Sequence, residues 1–266
     1  MSNYIVNADD LGMSPGTNEA IFHGHDNGYI NSTSIMTNCD YFNEAIHGLK
    51  ARKELKVGIH LNLTYGKSLS GSFMLSNKHG FFNLSYIQIL YKSIVSQNFL
   101  AEVENEFELQ IQKGIYNKID ISHLDSHRHI HLIPNLYKIV YRLSLKYNIN
   151  RVRLVNENIF HSLHLTKKLN FLSNGGLFKY LLLRFFTCIN KIYGDKYKSI
   201  SFYSILYTGI IDRSSLLKLM KSNTVYEIVV HPSHVDIDKN ITFYNDEEKA
   251  YRLSSNRSLE LLGILK

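Results

Sequence analysis

The stretch His123-Leu124-Asp125-Ser126-His127-Arg128-His129-Ile130-His131 decides how this chain is read. Every second residue is polar and protonatable. Alternate side chains of an extended strand share a face, so the spacing predicts His123, Asp125, His127, His129 and His131 pointing the same way. Burying that row as inert core would desolvate several imidazoles and a carboxylate, which is costly unless each is paired. A metal ion or a water-filled catalytic cleft relieves that cost most simply; a surface histidine cluster is the plainer alternative. The flanks speak against the surface, because Ile119-Asp120-Ile121 enters as a buried strand and Leu132-Ile133-Pro134 leaves as a turn.

Outward from this stretch, apolar or β-branched runs predict strands at residues 4–6, 32–37, 57–63, 119–125, 151–155, 199–202 and 226–232. Between them lie helical patterns. One starts at Pro15 behind a Ser14 cap, and others span about 41–52, 84–113 and 135–147. Asp212 caps another, which runs to Lys221, and a last one covers 246–262. Seven alternations imply an α/β fold of parallel strands with right-handed crossovers. Asp9, Asp10, His60, Asp125, His127 and His231 all fall at strand C-terminal ends, where α/β barrels and doubly wound sheets alike build their sites. No Gly-rich phosphate loop follows the first strand, which counts against nucleotide binding. The glycine-bearing loop at 65–82 is long enough to wall a site.

The bulk numbers narrow the class. The 266 residues, 44% hydrophobic and 20% charged, suit one globular domain over 1–266 with a large core, and no linker or repeat divides it. The net charge of +7 is spread along the chain, so it predicts no nucleic-acid partner. Cys39 and Cys188 sit among apolar or small neighbours and are expected as buried free thiols. No signal peptide is visible, which points to a cytoplasmic protein. The apolar run 177–189 carries Lys179 and Arg184 and is shorter than the ~20 residues a bilayer span requires. It reads as an amphipathic helix, and Phe178, Tyr180, Phe185 and Phe186 leave peripheral membrane contact open.

The strand-end residues form a chemical kit. One carboxylate and two imidazoles make a divalent-metal site with open positions, a second carboxylate can act as base, and an opposed histidine can act as acid. That kit hydrolyses amides or esters. Singly each signal is weak: Asp9-Asp10 could cap a helix, His60 could be a core histidine, and His231-Pro232 could end a strand.

Asn7-Ala8-Asp9-Asp10-Leu11-Gly12-Met13-Ser14, Ser32-Thr33-Ser34, Gly58-Ile59-His60-Leu61-Asn62-Leu63-Thr64, Ser122 to His131 and Val230-His231-Pro232 together resemble the YdjC-like carbohydrate deacetylase family, over most of the chain and in the family's order. The resemblance implies a distorted TIM-like barrel of about seven parallel strands. It implies metal-dependent removal of acetyl from an N-acetylated sugar, with Asp10, His60 and His127 as metal ligands. Asp9 would be the base, His231 the acid, and Asp125 a group orienting a histidine. His129, His131 and Arg153 would support or line the cleft. Arg128 stands where the family commonly has a neutral residue or histidine, and is directed away from the metal or toward an acidic substrate. The donor types favour zinc, with magnesium as the other option. The expected partner is an N-acetylated mono- or oligosaccharide, free or lipid- or nucleotide-linked, and a homodimer is left open. A metal-dependent phosphoesterase and a non-catalytic sugar-binding relative are the alternatives.

Overall fold

Six parallel strands form one sheet in the order β4-β3-β2-β1-β6-β5. The computed structural model describes residues 4–166, 176–193, 200–203, 205–208, 211, 213–221, 225–243 and 246–265. The strands are β1 (Tyr4–Leu11), β2 (Ser32–Ile35), β3 (Lys56–Leu61), β4 (Ile121–Ser126), β5 (Ser201–Tyr203) and β6 (Tyr226–Val230). Their cores are apolar and buried, including Val6, Ala8, Ile59, Leu124, Ile228 and Val229, as a sheet covered on both faces requires. Helices α1 (Pro15–Asp26), α2 (Phe42–Leu49), α3 (Tyr86–Val95), α4 (Gln97–Tyr116) and α5 (Pro134–Lys146) fill the first three crossovers and the start of the fourth. The later helices are α6 (Ile159–Thr166), α7 (Gly176–Asn190), α8 (Arg213–Met220), α9 (Val235–Asp238), α10 (Asp246–Arg252) and α11 (Ser255–Leu265).

The expected fold class is present, with six strands instead of seven among the described residues. The stretch predicted as a strand at 151–155 makes one parallel bridge, Leu124↔Val152. The Leu124 N–H donates to Arg151 O at 2.8 Å and the Arg153 N–H to Leu124 O at 2.9 Å. Three residues on, the Phe202 N–H donates to Asn156 O at 3.3 Å. The segment thus leaves β4 to reach β5, and pairs too briefly with either to be a strand. It spans the gap between the two edges and curls the sheet into a distorted barrel.

Local chemistry explains most boundaries. Ser14 caps α1 by accepting the Thr17 N–H at 3.2 Å, as expected. The single helix predicted over 84–113 is two, because Ser96 adopts an extended conformation and caps α4 through the Phe99 N–H at 3.2 Å. The helix predicted over 246–262 likewise breaks, between α10 and α11. The Asp212 cap lies outside the described residues, although α8 follows it. Cys39 is buried as expected, whereas Cys188 is exposed on α7. In the long loop, Lys67 pairs with Phe81 and Ser76 with Phe82 as antiparallel bridges.

Gly58 shows how tightly β3 meets β4. A Cβ there would lie 2.4 Å from Cε1 of the buried His123 ring. Gly58→Ala should therefore lower the urea midpoint by an overpacking cost of about 1–3 kcal/mol with m unchanged. An unaltered midpoint would show that the His123 ring has room to move.

Candidate metal centre

Two backbone irregularities build the site. The β1–β2 register shifts between Ala8 and Leu11, and Asp10 takes a left-handed φ of 74°. Adjacent Asp9 and Asp10 therefore reach different partners at one strand end. The chain after β4 then turns into a 3₁₀ segment, His127–Leu132, with Arg128 and His129 at φ 55° and 56°. Strain of this kind in non-glycine residues concentrates at functional sites. It also overturns the single-face reading of the histidine run, since the two-residue alternation stops at Ser126 and the histidines scatter.

Asp10, His60 and His127 converge. Asp10 Oδ1 lies 3.4 Å from His60 Nε2 and 3.2 Å from His127 Nδ1. One donor atom from each lies within 4.8 Å of the others, and all three residues are buried. Asp9, His60 and Asp125 form a second such group around the same imidazole. His60 Nδ1 donates to Asp125 Oδ1 at 2.8 Å, which leaves Nε2 as the ligand atom facing Asp10. The other Asp10 oxygen accepts from the Tyr251 hydroxyl at 2.7 Å and Arg257 Nη1 at 2.9 Å. Two imidazoles and an anchored carboxylate with their ligand atoms converging fit a divalent ion of the zinc or magnesium class.

Electrostatics follow from burial. Burial pushes the Asp10 carboxyl up, yet hydrogen bonds from His127 and His60 and the Arg257 charge hold it well below the carboxylate range. Burial would lower His60, but the charges of Asp125 and Asp9 and its contact with Asp10 raise it to about 10. Burial wins at His127, which is lowered despite Asp10. Asp125 is pulled well below its usual value, because Arg153 and His60 outweigh desolvation.

Arg153 is fully buried and its donors are taken. Nη1 and Nη2 reach the two Asp9 oxygens at 2.8 Å each, Nη2 also reaches Asp125 Oδ2 at 2.7 Å, and Nε reaches Glu227 Oε1 at 2.8 Å. It supports the site from behind. His231 Nε2 stands 3.8 Å from Asp9 Oδ2, while its backbone N–H donates to Glu260 Oε2 at 2.5 Å. His131 is structural: Nδ1 pairs with Ser126 Oγ at 2.5 Å and Nε2 with Arg153 O at 3.0 Å, and burial lowers its pKa to about 4. His123 packs behind Asp125, with burial lowering it to about 3. His129 is buried near the Phe202 ring with Nδ1 unpartnered. Arg128 points outward to Glu247 at 2.6 Å.

Two cavities meet at His127, Arg128 and Tyr251. A groove of about 600 Å³ runs between the long loop (Tyr65, Phe81, Phe82) and α10. A chamber of about 270 Å³ is lined by Asp9, His60, His129, Lys179, His231 and Arg257. Sequence reasoning missed Tyr251, Arg257 and Lys179, which carry no motif. Glu227 did carry a signal, as a lone acid in the apolar run Tyr226–Val230.

Residues 3–263 match the model of the family described as YdjC-like protein. A carbohydrate deacetylase of Halalkalibacterium halodurans is 38% identical over 146 residues, 54% of this chain and 61% of that protein. The chain thus aligns with less than two thirds of that relative. A carbohydrate deacetylase of Vibrio parahaemolyticus is 30% identical over 87% of this chain and 78% of its own length. A crystal structure from Enterococcus faecalis, described as a cellobiose-phosphate cleavage protein, superposes with a TM-score of 0.64 at 21% identity, covering 97% of this chain and 90% of that one. At that identity the likeness shows the fold.

Because His60 carries a proton below about pH 10 while His127 is held below its ordinary value, ion uptake on both rings at pH 7 should release about one proton per ion. Calorimetric titration with zinc in two buffers of different protonation enthalpy reads this, and zero release would refute it. His127→Ala should abolish ion binding, whereas His131→Ala should lower the melting temperature and leave binding within a few-fold. Equal loss in both would overturn the separation of roles.

Proposed function

Since this chain belongs to the YdjC-like family, we propose that it is a divalent-metal-dependent hydrolase that removes the acetyl group from an N-acetylated sugar. The observation that carries the reading is the convergence of Asp10 with His60 and His127, two residues that share the wall of one chamber with Asp9 and His231. The curated relatives named carbohydrate deacetylase support the same chemistry.

Asp10 Oδ1, His60 Nε2 and His127 Nδ1 would hold the ion. When bound, it supplies Lewis acidity, acidifying a water and polarising the acetamide oxygen. Asp9 is the base. Its Oδ1 is occupied by Asn7 Nδ2 at 2.7 Å and by Arg153 Nη2, so Oδ2 is the freer oxygen and takes the proton of the attacking water. Arg153 grips both oxygens and fixes their direction, the positioning that such a transfer requires. The water oxygen bonds to the carbonyl carbon. His231, on the far side of Oδ2 and anchored by Glu260, gives its proton to the nitrogen as the C–N bond breaks, leaving acetate and an amine. Tyr65, Phe81 and Phe82 offer flat apolar walls along the groove for further sugar units.

Acetate release should be measured from N-acetylglucosamine oligomers and from lipid-linked and nucleotide-linked acetamido sugars. Asp9→Asn should reduce kcat by about 10²–10⁴-fold, and chelation should abolish turnover until zinc or magnesium is restored. Full activity in both controls would sink the mechanism, and hydrolysis of p-nitrophenyl phosphate alone would favour the phosphoesterase alternative.

A further inference from the structure

Helix α7 is amphipathic in an uneven way. Its inner side buries Tyr180, Leu183, Phe186, Thr187 and Asn190 against the body of the protein. Its outer side is apolar as well. Phe178, Leu181 and Phe185 are 73%, 56% and 61% exposed, and Ile192 just beyond the helix is 76% exposed. Spaced by three, four and seven residues, they fall on one stripe. Cys188 is exposed on the same stripe, and no charge interrupts it. Of the four aromatic residues in the run, therefore, two serve the core and two face outward. A stripe of this size on a water-facing helix marks an interaction surface.

The charge around it selects the occupant. Among the described residues 176–193 none is acidic, and apart from Lys179, which lines the chamber, the bases are Arg184 and Lys191. Helical spacing places Arg184 and Lys191 together along one edge of the stripe. Apolar side chains with a cationic border, free of acids, match an anionic bilayer surface: the rings enter the headgroup layer while the bases meet lipid phosphates. No helix among the described residues is long and apolar enough to cross a membrane, so such contact is peripheral. We propose that the outer face of α7 docks this protein on anionic lipid membranes.

Flotation of the full chain with vesicles tests this. The native protein should float with phosphatidylcholine vesicles containing roughly a third phosphatidylglycerol, and not with pure phosphatidylcholine. Raising the salt to about 0.5 M should weaken the association. The double variant Phe178→Glu, Phe185→Glu should lose bound protein by about tenfold or more while keeping the native melting temperature, since both side chains are exposed. Absence of flotation with anionic vesicles, or flotation undiminished in the double variant, overturns the proposal. So does a dimer by light scattering that the double variant converts to monomer without any vesicle binding, which would assign the face to a second copy. Flotation reads no hydrolysis, so it stands or falls separately from the deacetylase reading.

Discussion

A guanidinium buried among three carboxylates is the interaction on which the rest of this structure depends. Asp9, Asp125 and Glu227 come from β1, β4 and β6, and all are buried. Any one of them, ionised and alone, would cost several kcal/mol to bury. Arg153 meets all three from the segment that closes the sheet, and burial fails to lower it because Asp125, Asp9 and Glu227 hold its charge in place. The mostly buried Arg151 shares Glu227 at 2.5 Å, which brings the cluster nearer to neutrality. A lysine could supply the charge but not the planar fork that Asp9 engages with both oxygens. Closure of the barrel and alignment of the proposed base are therefore one event.

From that point orientation passes outward through hydrogen bonds. Arg153 and Ser34 fix Asp125, Asp125 fixes the His60 tautomer, and His60 presents Nε2 to Asp10. Asp10 itself is held from elsewhere, by Tyr251 on α10 and Arg257 on α11. The ligand set thus draws on two cationic anchors, one in the middle of the chain and one near its end. Arg257 also donates to Thr17 on α1 at 3.1 Å, so the last helix is tied to the first as it completes the site. A fold that joins distant segments in this way sets its geometry only when the whole domain has closed.

The legible part of the fold was the part governed by local pattern. The alternation of apolar strands and capped helices gave the parallel α/β class, and the strand-end polar residues included Asp10, His60 and His127, the three that the family resemblance singled out and that do meet. The histidine run misled where backbone conformation departs from its neighbours' pattern: nothing in Arg128-His129 announces two consecutive left-handed residues. Residues 151–155 look like a strand because Val152, Leu154 and Val155 are core residues, yet their path is set by the gap they bridge and by Arg153 beneath it. Tyr251 and Arg257 were invisible because a helix that delivers one hydroxyl or one guanidinium to a remote carboxylate has no periodic signature. The exposed apolar stripe of α7 was half visible, since composition shows an aromatic helix but only packing decides which rings turn inward.

Helix α7 connects the two proposals physically. Lys179 lines the chamber with Asp9 and His231, one residue along from outward-facing Phe178. The outer face and the chamber are therefore separated by about one helix diameter, ~10 Å. Among the described residues, the Lys179 amine has no carboxylate partner within ion-pair distance; burial lowers its pKa, with Glu157 and Asp9 opposing more weakly. A face seated in the headgroup layer would put the chamber just above the lipid surface, within reach of a short headgroup glycan but not of one held farther out. Contact area, and not a dedicated lipid channel, would then raise the local concentration of membrane-borne substrate. Sugars free in solution would still enter by the open groove between the long loop and α10, which owes nothing to α7.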